Sequence, residues 1–289
     1  MLRKSLFALV FFLQIFLTSY GQYSVKKEFL NPSVLITCKT ANGTVTGFGF
    51  FYQVDTILYL ITAAHVVFRQ LKNTNGYITY TSYSPKITIS YYSNDAFTDT
   101  ISSLRFNIDG LVQSNMTIYN SKRDIAILKI GTVPIGHPGV YYFAEYASNK
   151  IGPTVSYSKD ISTSIGKYSI GDDVFMFGFP KSLALHNVKL FDSDRPLVRK
   201  GAVAGIDRIN STVIIYCPSY PGNSGGPVSV VHNGSIDVMG FVDAFIPFIN
   251  QTVPSDSSNS SIVVNNSGYT VVVPIENVYN LIQQKFGGH

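Results

Sequence analysis

The sequence predicts an all-β fold: two packed six-stranded antiparallel β-barrels followed by a C-terminal helix. Three observations lead there. The aromatic residues are 20 Phe and 19 Tyr with no Trp, and Phe and Tyr favour strands. They fall in short runs such as FGFFY, YITYTSY and ITISYY, each about the length of a strand. Apolar spacing of helical period is scarce until the C-terminal end. At 289 residues, 45% of them hydrophobic and 13% charged, the chain is too apolar to be disordered. It is long enough for one large or two small domains with a proper core.

The first 21 residues stand apart from the rest. MLRK is basic, SLFALVFFLQIFLT apolar and SYGQ small, the layout of a secretory signal peptide cleaved after Gly21. The apolar run is short for a membrane span of about 20 residues. The predicted division is therefore a signal peptide over 1–21 and one folded region over 22–289. Its location is secreted or periplasmic, with no membrane attachment once the leader is removed. Loss of Arg3 and Lys4 with the leader takes the formal charge from +5 to +3. That balance is too mild for a nucleic-acid partner, and no basic run supports one.

After the leader, SVLITCK, TVTGFGFFY and TILYLITAA read as a meander of three strands separated by turn residues. ITYTSY and KITISYY continue the alternation, and RDIAILKI opens a buried strand with a charged pair. These place a first barrel over about 30–140. Between about 131 and 165 the texture loosens into Pro, Gly, Ser and Tyr, which predicts a connection between halves. DDVFMFGF, LVRKGAVAGI, STVIIYC, GPVSVV, SIDVMGFV and YTVVVPI then supply a second barrel over about 166–275. In ENVYNLIQQKF, apolar Val278, Leu281, Ile282 and Phe286 have helical spacing, predicting a closing helix over 276–286.

The two cysteines, Cys38 and Cys217, sit in apolar strand-like runs and read as buried small hydrophobes rather than a bridge. Seven N-x-S/T sites occur, at Asn42, Asn115, Asn210, Asn233, Asn250, Asn259 and Asn265; they matter only in a glycosylating pathway. His137, His186 and His232 have no metal-ligand spacing with each other or with the cysteines, so neither a metal nor another cofactor is predicted.

Three residues carry a candidate chemistry. His65 follows an apolar strand in ITAAHVV, Asp124 opens RDIAILKI, and Ser224 lies in the turn-rich loop YPGNSGGP. A serine hydroxyl is a weak nucleophile and needs an imidazole to take its proton. The imidazole needs a carboxylate to fix its tautomer and stabilise the charge it gains. His, Asp, Ser in that chain order suits a two-barrel protease whose first barrel supplies base and orienter and whose second supplies the nucleophile. The N–H groups of Gly222 and Ser224, in a loop that also contains Asn223, would then meet the oxyanion. GNSGG also fits the G-x-S-x-G of α/β-hydrolases, but that fold places the acid and the His after the nucleophile. Only His232 and the terminal His289 follow Ser224, and a strand, GPVSVV, follows it instead of a helix.

With these motifs in place the sequence resembles the trypsin-like serine proteases, and among them the HtrA/Deg-type protease domain. TGFGFFY, ITAAHVV, RDIAILKI and PGNSGGPV carry the resemblance. IGDDVFMFGFP, VRKGAVAGI, NGSIDVMGFVDA and GYTVVVPIENV extend it over most of residues 33–286. It implies two six-stranded barrels with the site between them, and hydrolysis of peptide bonds in protein or peptide substrates through an acyl-enzyme. It also places Pro218 and Ser219, with Gly240, Phe241, Val242 and Asp243, near the primary specificity pocket. With no acidic residue at Pro218, a small or medium apolar side chain is the expected preference, although Asp243 could attract a basic one. The PDZ domain that usually follows in HtrA proteins has no counterpart here, and the stretch 69–122 is longer than a compact member needs. A binding module without activity on the same scaffold is the alternative, but no triad residue or loop glycine has been lost. Digestive-type relatives carry an Asp before the catalytic Ser that pairs with a newly cut N-terminal amine. Here that residue is Asn223, and no Ile-Val-Gly-Gly start follows the leader. The chain freed of its leader is therefore expected to be active without another cut; activity that tracks a further internal cleavage by mass spectrometry would contradict this.

Overall fold

The computed structural model describes residues 25–26, 29–41, 43–72, 78–92, 95–96, 98–135, 139–143, 147–148, 151–152, 156–179, 192, 195–232, 234–252 and 261–287. The predicted leader, the sequons at Asn42, Asn233 and Asn259, and His137, His186 and His289 lie outside the described residues.

The first half begins with β1 (Ser33–Thr40), β2 (Gly43–Val54) and β3 (Ile57–Ala63), the predicted meander. A short helix α1 (Ala64–Val67) and the hairpin β4 (Phe68–Lys72)–β5 (Ile78–Ser82) follow. Next come β6 (Lys86–Tyr91), β7 (Ser102–Asn107), helix α2 (Ile108–Gln113), β8 (Thr117–Asn120) and β9 (Ile125–Thr132). The long polar stretch after His65 is thus an added hairpin plus strands of the main sheet. The connecting region carries three short strands, β10 (Val140–Tyr142), β11 (Ile151–Gly152) and β12 (Tyr157–Ser158).

Ten of these strands form one sheet with the path β11-β10-β9-β3-β2-β1-β6-β7, with β8 paired to β9 and β12 parallel to β2, while β4 and β5 pair only with each other. This half therefore holds more strands than the six expected, because the sheet recruits both the insertion and the connection. Its far edges approach through an antiparallel bridge between Phe106 and Ala147. There the Ser148 N–H donates to the Arg105 carbonyl at 2.9 Å, and the Arg105 N–H donates to Ser148 Oγ at 3.0 Å.

The second half is a closed barrel of β13 (Asp173–Gly178), β14 (Leu197–Asp207), β15 (Thr212–Tyr216), β16 (Pro227–His232), β17 (Ser235–Thr252) and β18 (Ser261–Pro274). The barrel order is β13-β14-β15-β18-β17-β16, with every neighbour antiparallel. Six strands closed on themselves leave no edge in that ring. Among the described residues, no helix is long and apolar enough to cross a membrane.

Two devices hold the halves together. Helix α3 (Ile275–Phe286) leaves the second barrel and lays Ile275, Val278 and Ile282 into the core of the first. Lys285 at its end donates to the Thr117 carbonyl at 2.6 Å. Aromatic rings fill the seam: Phe50 meets Phe241 of β17 with ring centres 6.5 Å apart, and Phe48 packs in one cluster with Phe175 and Phe177. Cys38 and Cys217 are buried free thiols. Burial pushes them up to about 12 and about 11 respectively, far from the reactive range. Because Phe241 is fully buried at this seam, Phe241→Ala is expected to cost about 3–5 kcal/mol of stability. Urea unfolding followed by fluorescence measures it; a change under about 1 kcal/mol would show that the seam repacks around the gap.

Candidate active site

The site is built first from the residues that follow β3. The strand is apolar and ends in alanines, and the chain then turns into α1, where Val66 and Val67 are buried and His65 faces outward. Val66 and Val67 thereby fix the helix against the core and leave the imidazole at the cleft. Asp124 comes from the turn before β9 and adopts a left-handed conformation, with φ of 51°. For a residue with a Cβ that conformation is unfavourable, and Asp is among the few that tolerate it. It allows Asp124 to bind the helix three times. Its carbonyl accepts from the Ala64 N–H at 2.9 Å, Oδ1 accepts from the His65 N–H at 3.0 Å, and Oδ2 bonds the His65 Nδ1. The ring is therefore clamped at both backbone and side chain. The bond from Asp124 favours the imidazolium and raises the His65 pKa above its ordinary value of 6.5, against the opposing effect of burial.

Ser224 lies in a loop between β15 and β16 whose polar groups are closely accounted for. The Asn223 N–H donates to the Tyr220 carbonyl at 2.9 Å, and the Gly226 N–H donates to the Asn223 carbonyl at 3.0 Å. The Gly225 N–H donates to Val242 at 2.7 Å, and the Ser224 carbonyl accepts from the Phe48 N–H at 2.9 Å. Gly225 has φ of 85°, and a Cβ there would lie 2.1 Å from the Phe48 carbonyl oxygen, so no side chain fits. Gly222 has φ of 94°, which likewise favours glycine. Among the hydrogen bonds of the described residues, neither the Gly222 nor the Ser224 N–H has an acceptor.

Arg199 of β14 was not singled out from the sequence, yet it holds this loop. Its Nη1 donates to the Pro218 carbonyl at 2.9 Å and to Asn223 Oδ1 at 3.0 Å. The same Oδ1 accepts from the Tyr220 N–H at 2.8 Å. Asn223 is 2% exposed, so its amide is a buried keystone. Where an activation-dependent relative would need a charged amine from a cut terminus, a cation within this chain reaches the same loop. The only sequence signal was a charged residue in the middle of the strand run LVRKGAVAGI.

The structure brings His65 and Asp124 into direct contact, with Ser224 joined to them by way of Asp243. The Ser224 Oγ donates to the Asp243 backbone carbonyl at 3.0 Å and not to His65. The Asp243 carboxylate, the Asp124 carboxylate and a ring nitrogen of His65 all lie within 4.8 Å of one another. A register shift in the β17–β18 ladder between Val242 and Ala244 marks a β-bulge at Asp243, a device that re-aims a side chain. The carboxyl lies near the His–Asp pair and also borders the neighbouring cleft. These three are the candidate cation ligands among the described residues; the bond between His65 Nδ1 and Asp124 Oδ2 occupies two of the atoms a metal would need.

The other residues expected at a specificity pocket divide. Ser219 is buried, with its hydroxyl bonded to Thr270 Oγ1 at 2.8 Å, and the Pro218 carbonyl is held by Arg199. Phe241 and Val242 are core side chains, and a Cβ at Gly240 would lie 2.0 Å from the Val273 carbonyl oxygen. The side chains of Phe241 and Val242 are given over to core packing and Gly240 has none, which leaves the backbone of these positions for any ligand. Asp243 borders a cleft of about 600 Å³ lined also by Lys122, Arg123, Asp207, Ile214 and Ile246.

The His65–Asp124 pair comes from the first sheet and the Ser224 loop from the closed barrel, the division of a trypsin-like peptidase fold. The family model for the trypsin-like peptidase domain matches residues 47–235, and the chain belongs to that family. No curated protein matches the chain. Among solved structures, the chain is similar to the HtrA-type protease AlgW with tripeptide, at TM-score 0.50 and 12% identity over 88% of this chain and 60% of that one. A serine endoprotease from Yersinia pestis (TM-score 0.48, 14% identity, 92% of this chain and 69% of that) is also similar. So is the thermostable serine protease AL20 from an extremophilic microorganism (TM-score 0.49, 11% identity, 89% and 99%). At these identities the likeness is one of fold, and the chain spans about 60% of the AlgW chain.

Replacing Arg199 by Leu removes two charge-assisted bonds from the loop. Hydrogen bonds to a charged group are worth about 1.5–3 kcal/mol each, so kcat/KM is expected to fall about 10- to 100-fold, mainly in kcat. Steady-state kinetics on a chromogenic peptide decides it: unchanged kinetics would show that the loop keeps its shape without the guanidinium.

Proposed function

We propose that this chain is a secreted serine endopeptidase in which Ser224 is the nucleophile, His65 the general base and acid, and Asp124 the group that orients His65. The observation that carries the reading is the double clamp of Asp124 on the His65 backbone and ring, opposite a loop that presents Ser224 beside two N–H groups without acceptors. Secretion is inferred from the basic–apolar–small layout of the first 21 residues.

On substrate binding, the Ser224 Oγ leaves the Asp243 carbonyl and turns its proton toward the His65 nitrogen remote from Asp124. Attack on the scissile carbonyl forms the C–O bond as that proton passes to the imidazole. Asp124 stabilises the imidazolium, and the N–H groups of Gly222 and Ser224 receive the negative oxygen, with the Asn223 amide keeping their loop in shape. His65 then returns the proton to the leaving amine. Water attacks the acyl-Ser224 ester by the same route in reverse. Because Arg199 and Asn223 hold the loop without a free terminus, no activating cleavage is required. With the Asp243 carboxyl directed at Asp124, the preferred residue at the cleaved bond is a small or medium apolar one.

Catalysis needs neutral His65, and the raised affinity of that ring for its proton sets the acid limit. As pH rises through the raised value the imidazole loses its proton and activity appears, so the acid limb of kcat/KM lies above 6.5. Purified protein lacking the leader is expected to digest a denatured protein mixture. Ser224→Ala or His65→Ala should lower kcat by about 10⁶, and Asp124→Asn by about 10⁴. Equal digestion by wild type and Ser224→Ala would refute the nucleophile, and no digestion by any form would favour a binding module on the same scaffold.

A further inference from the structure

A second carboxyl beside the His–Asp pair is not needed to explain peptide hydrolysis, and its surroundings are unusual. The Asp243 carboxylate lies within 4.8 Å of both Asp124 and His65. It is directed there by the bulge between Val242 and Ala244, on a strand whose preceding residues, Phe241 and Val242, are buried in the core. Its position is therefore fixed by the packing of the two residues that lead into the bulge. Two carboxylates so close cannot both be charged without strong repulsion, so one of them holds a proton. Asp124 already accepts hydrogen bonds from His65 at both carboxylate oxygens. The proton accordingly falls to Asp243.

We propose that Asp243 is a positioning residue: as a neutral carboxylic acid it donates a hydrogen bond to Asp124, and its ionisation turns that support into repulsion. The proposal rests on the reading of His65 and Asp124 as base and orienter. In its protonated form Asp243 braces the Asp124 carboxylate through a side-chain hydrogen bond. It braces the nucleophile as well, since its own backbone carbonyl receives the Ser224 hydroxyl at 3.0 Å. One residue thus bonds Ser224 and lies within 4.8 Å of the other two members of the proposed triad.

The charged groups around it can be named. His65 of α1 and Asp124 of the turn before β9 face it directly. Lys122 and Arg123 of that turn, and Asp207 at the end of β14, line the cleft it borders. The neighbouring strand β18 presents Val271 to that cleft. Arg123 is engaged by Asn277 Oδ1 at 2.5 Å. Burial first, and then Asp124, raise the Asp243 acid to about 7, with His65 acting in the opposite direction. Ionisation of Asp243 in turn strengthens the hold of His65 on its proton. The two groups therefore lose their protons in coupled steps. At low pH the cluster holds both protons and His65 cannot act as base. At high pH it holds neither, and Asp124 loses its donor. Full support and a free base coexist in a band near neutrality.

Asp243→Asn separates these effects, because its amide still donates but cannot ionise. The His65 ring titration, followed by NMR, is expected to move down by about one pH unit in this variant. Its kcat/KM should stay level on the alkaline side, where wild type declines. Asp243→Ala, which lacks the donor, should lose about 10-fold or more in kcat, and Asn should recover most of that loss. Asp243→Ser, a shorter neutral donor, should shift the His65 titration in the same direction and serves where Asn perturbs folding. A His65 midpoint that is the same in wild type, Asn and Ser overturns the proposal, and so does an Asn variant as impaired as Ala. The NMR readout needs no turnover: a shifted midpoint in a protein that cleaves nothing would contradict the peptidase reading and leave the carboxyl pair standing.

Discussion

The left-handed turn at Asp124 is the constraint on which the rest of the cleft depends. A carboxylate at the mouth of a strand ordinarily faces water. Here the positive φ of 51° swings its carbonyl and both carboxylate oxygens back onto α1. His65 can then be held in one ring orientation although its side chain is about half exposed. The insertion between α1 and β9 can be long because this local clamp, and not the intervening chain, sets the distance between the two residues.

The second barrel must be brought to that clamp with little freedom, since acyl transfer is sensitive to displacements of about 1 Å. The contacts that do this alternate between backbone and side chain. Phe48 of β2 donates its N–H to the Ser224 carbonyl while its ring fills the core cluster containing Phe175 and Phe177. Helix α3 returns from the second barrel to the core of the first. Arg199 and Asn223 lock the serine loop from within. The proposed catalytic residues are thus positioned by the same residues that join the two halves, so stability at the seam and geometry at the site are linked.

Much of this was legible in the sequence, for identifiable reasons. The strand runs, the closing helix and the order His65, Asp124, Ser224 depend on local pattern and on motifs whose chemistry fixes their residue types. The ten-stranded first sheet was less legible, because strands as short as β10 and β12, three and two residues long, show no periodicity and exist through pairing with distant partners. Arg199 was missed because its role depends on where β14 passes the serine loop, a tertiary fact. Asp243 was placed near the specificity pocket by resemblance, but its closeness to Asp124 and His65 was not foreseen. The one-residue bulge that redirects it leaves no mark in a period-2 pattern. Phe241 and Val242 beside it show the same limit, since burial in the core follows from barrel closure and not from their letters.

The central claim is that Ser224 is an activated nucleophile, and the most direct measurement is the site of covalent modification by a fluorophosphonate. Stoichiometric addition to the native protein, mapped by peptide mass spectrometry to Ser224 and abolished both in Asp124→Asn and on denaturation, is the result this account requires. Modification that spreads over several serines, or that persists at Ser224 after the protein is unfolded, would contradict it.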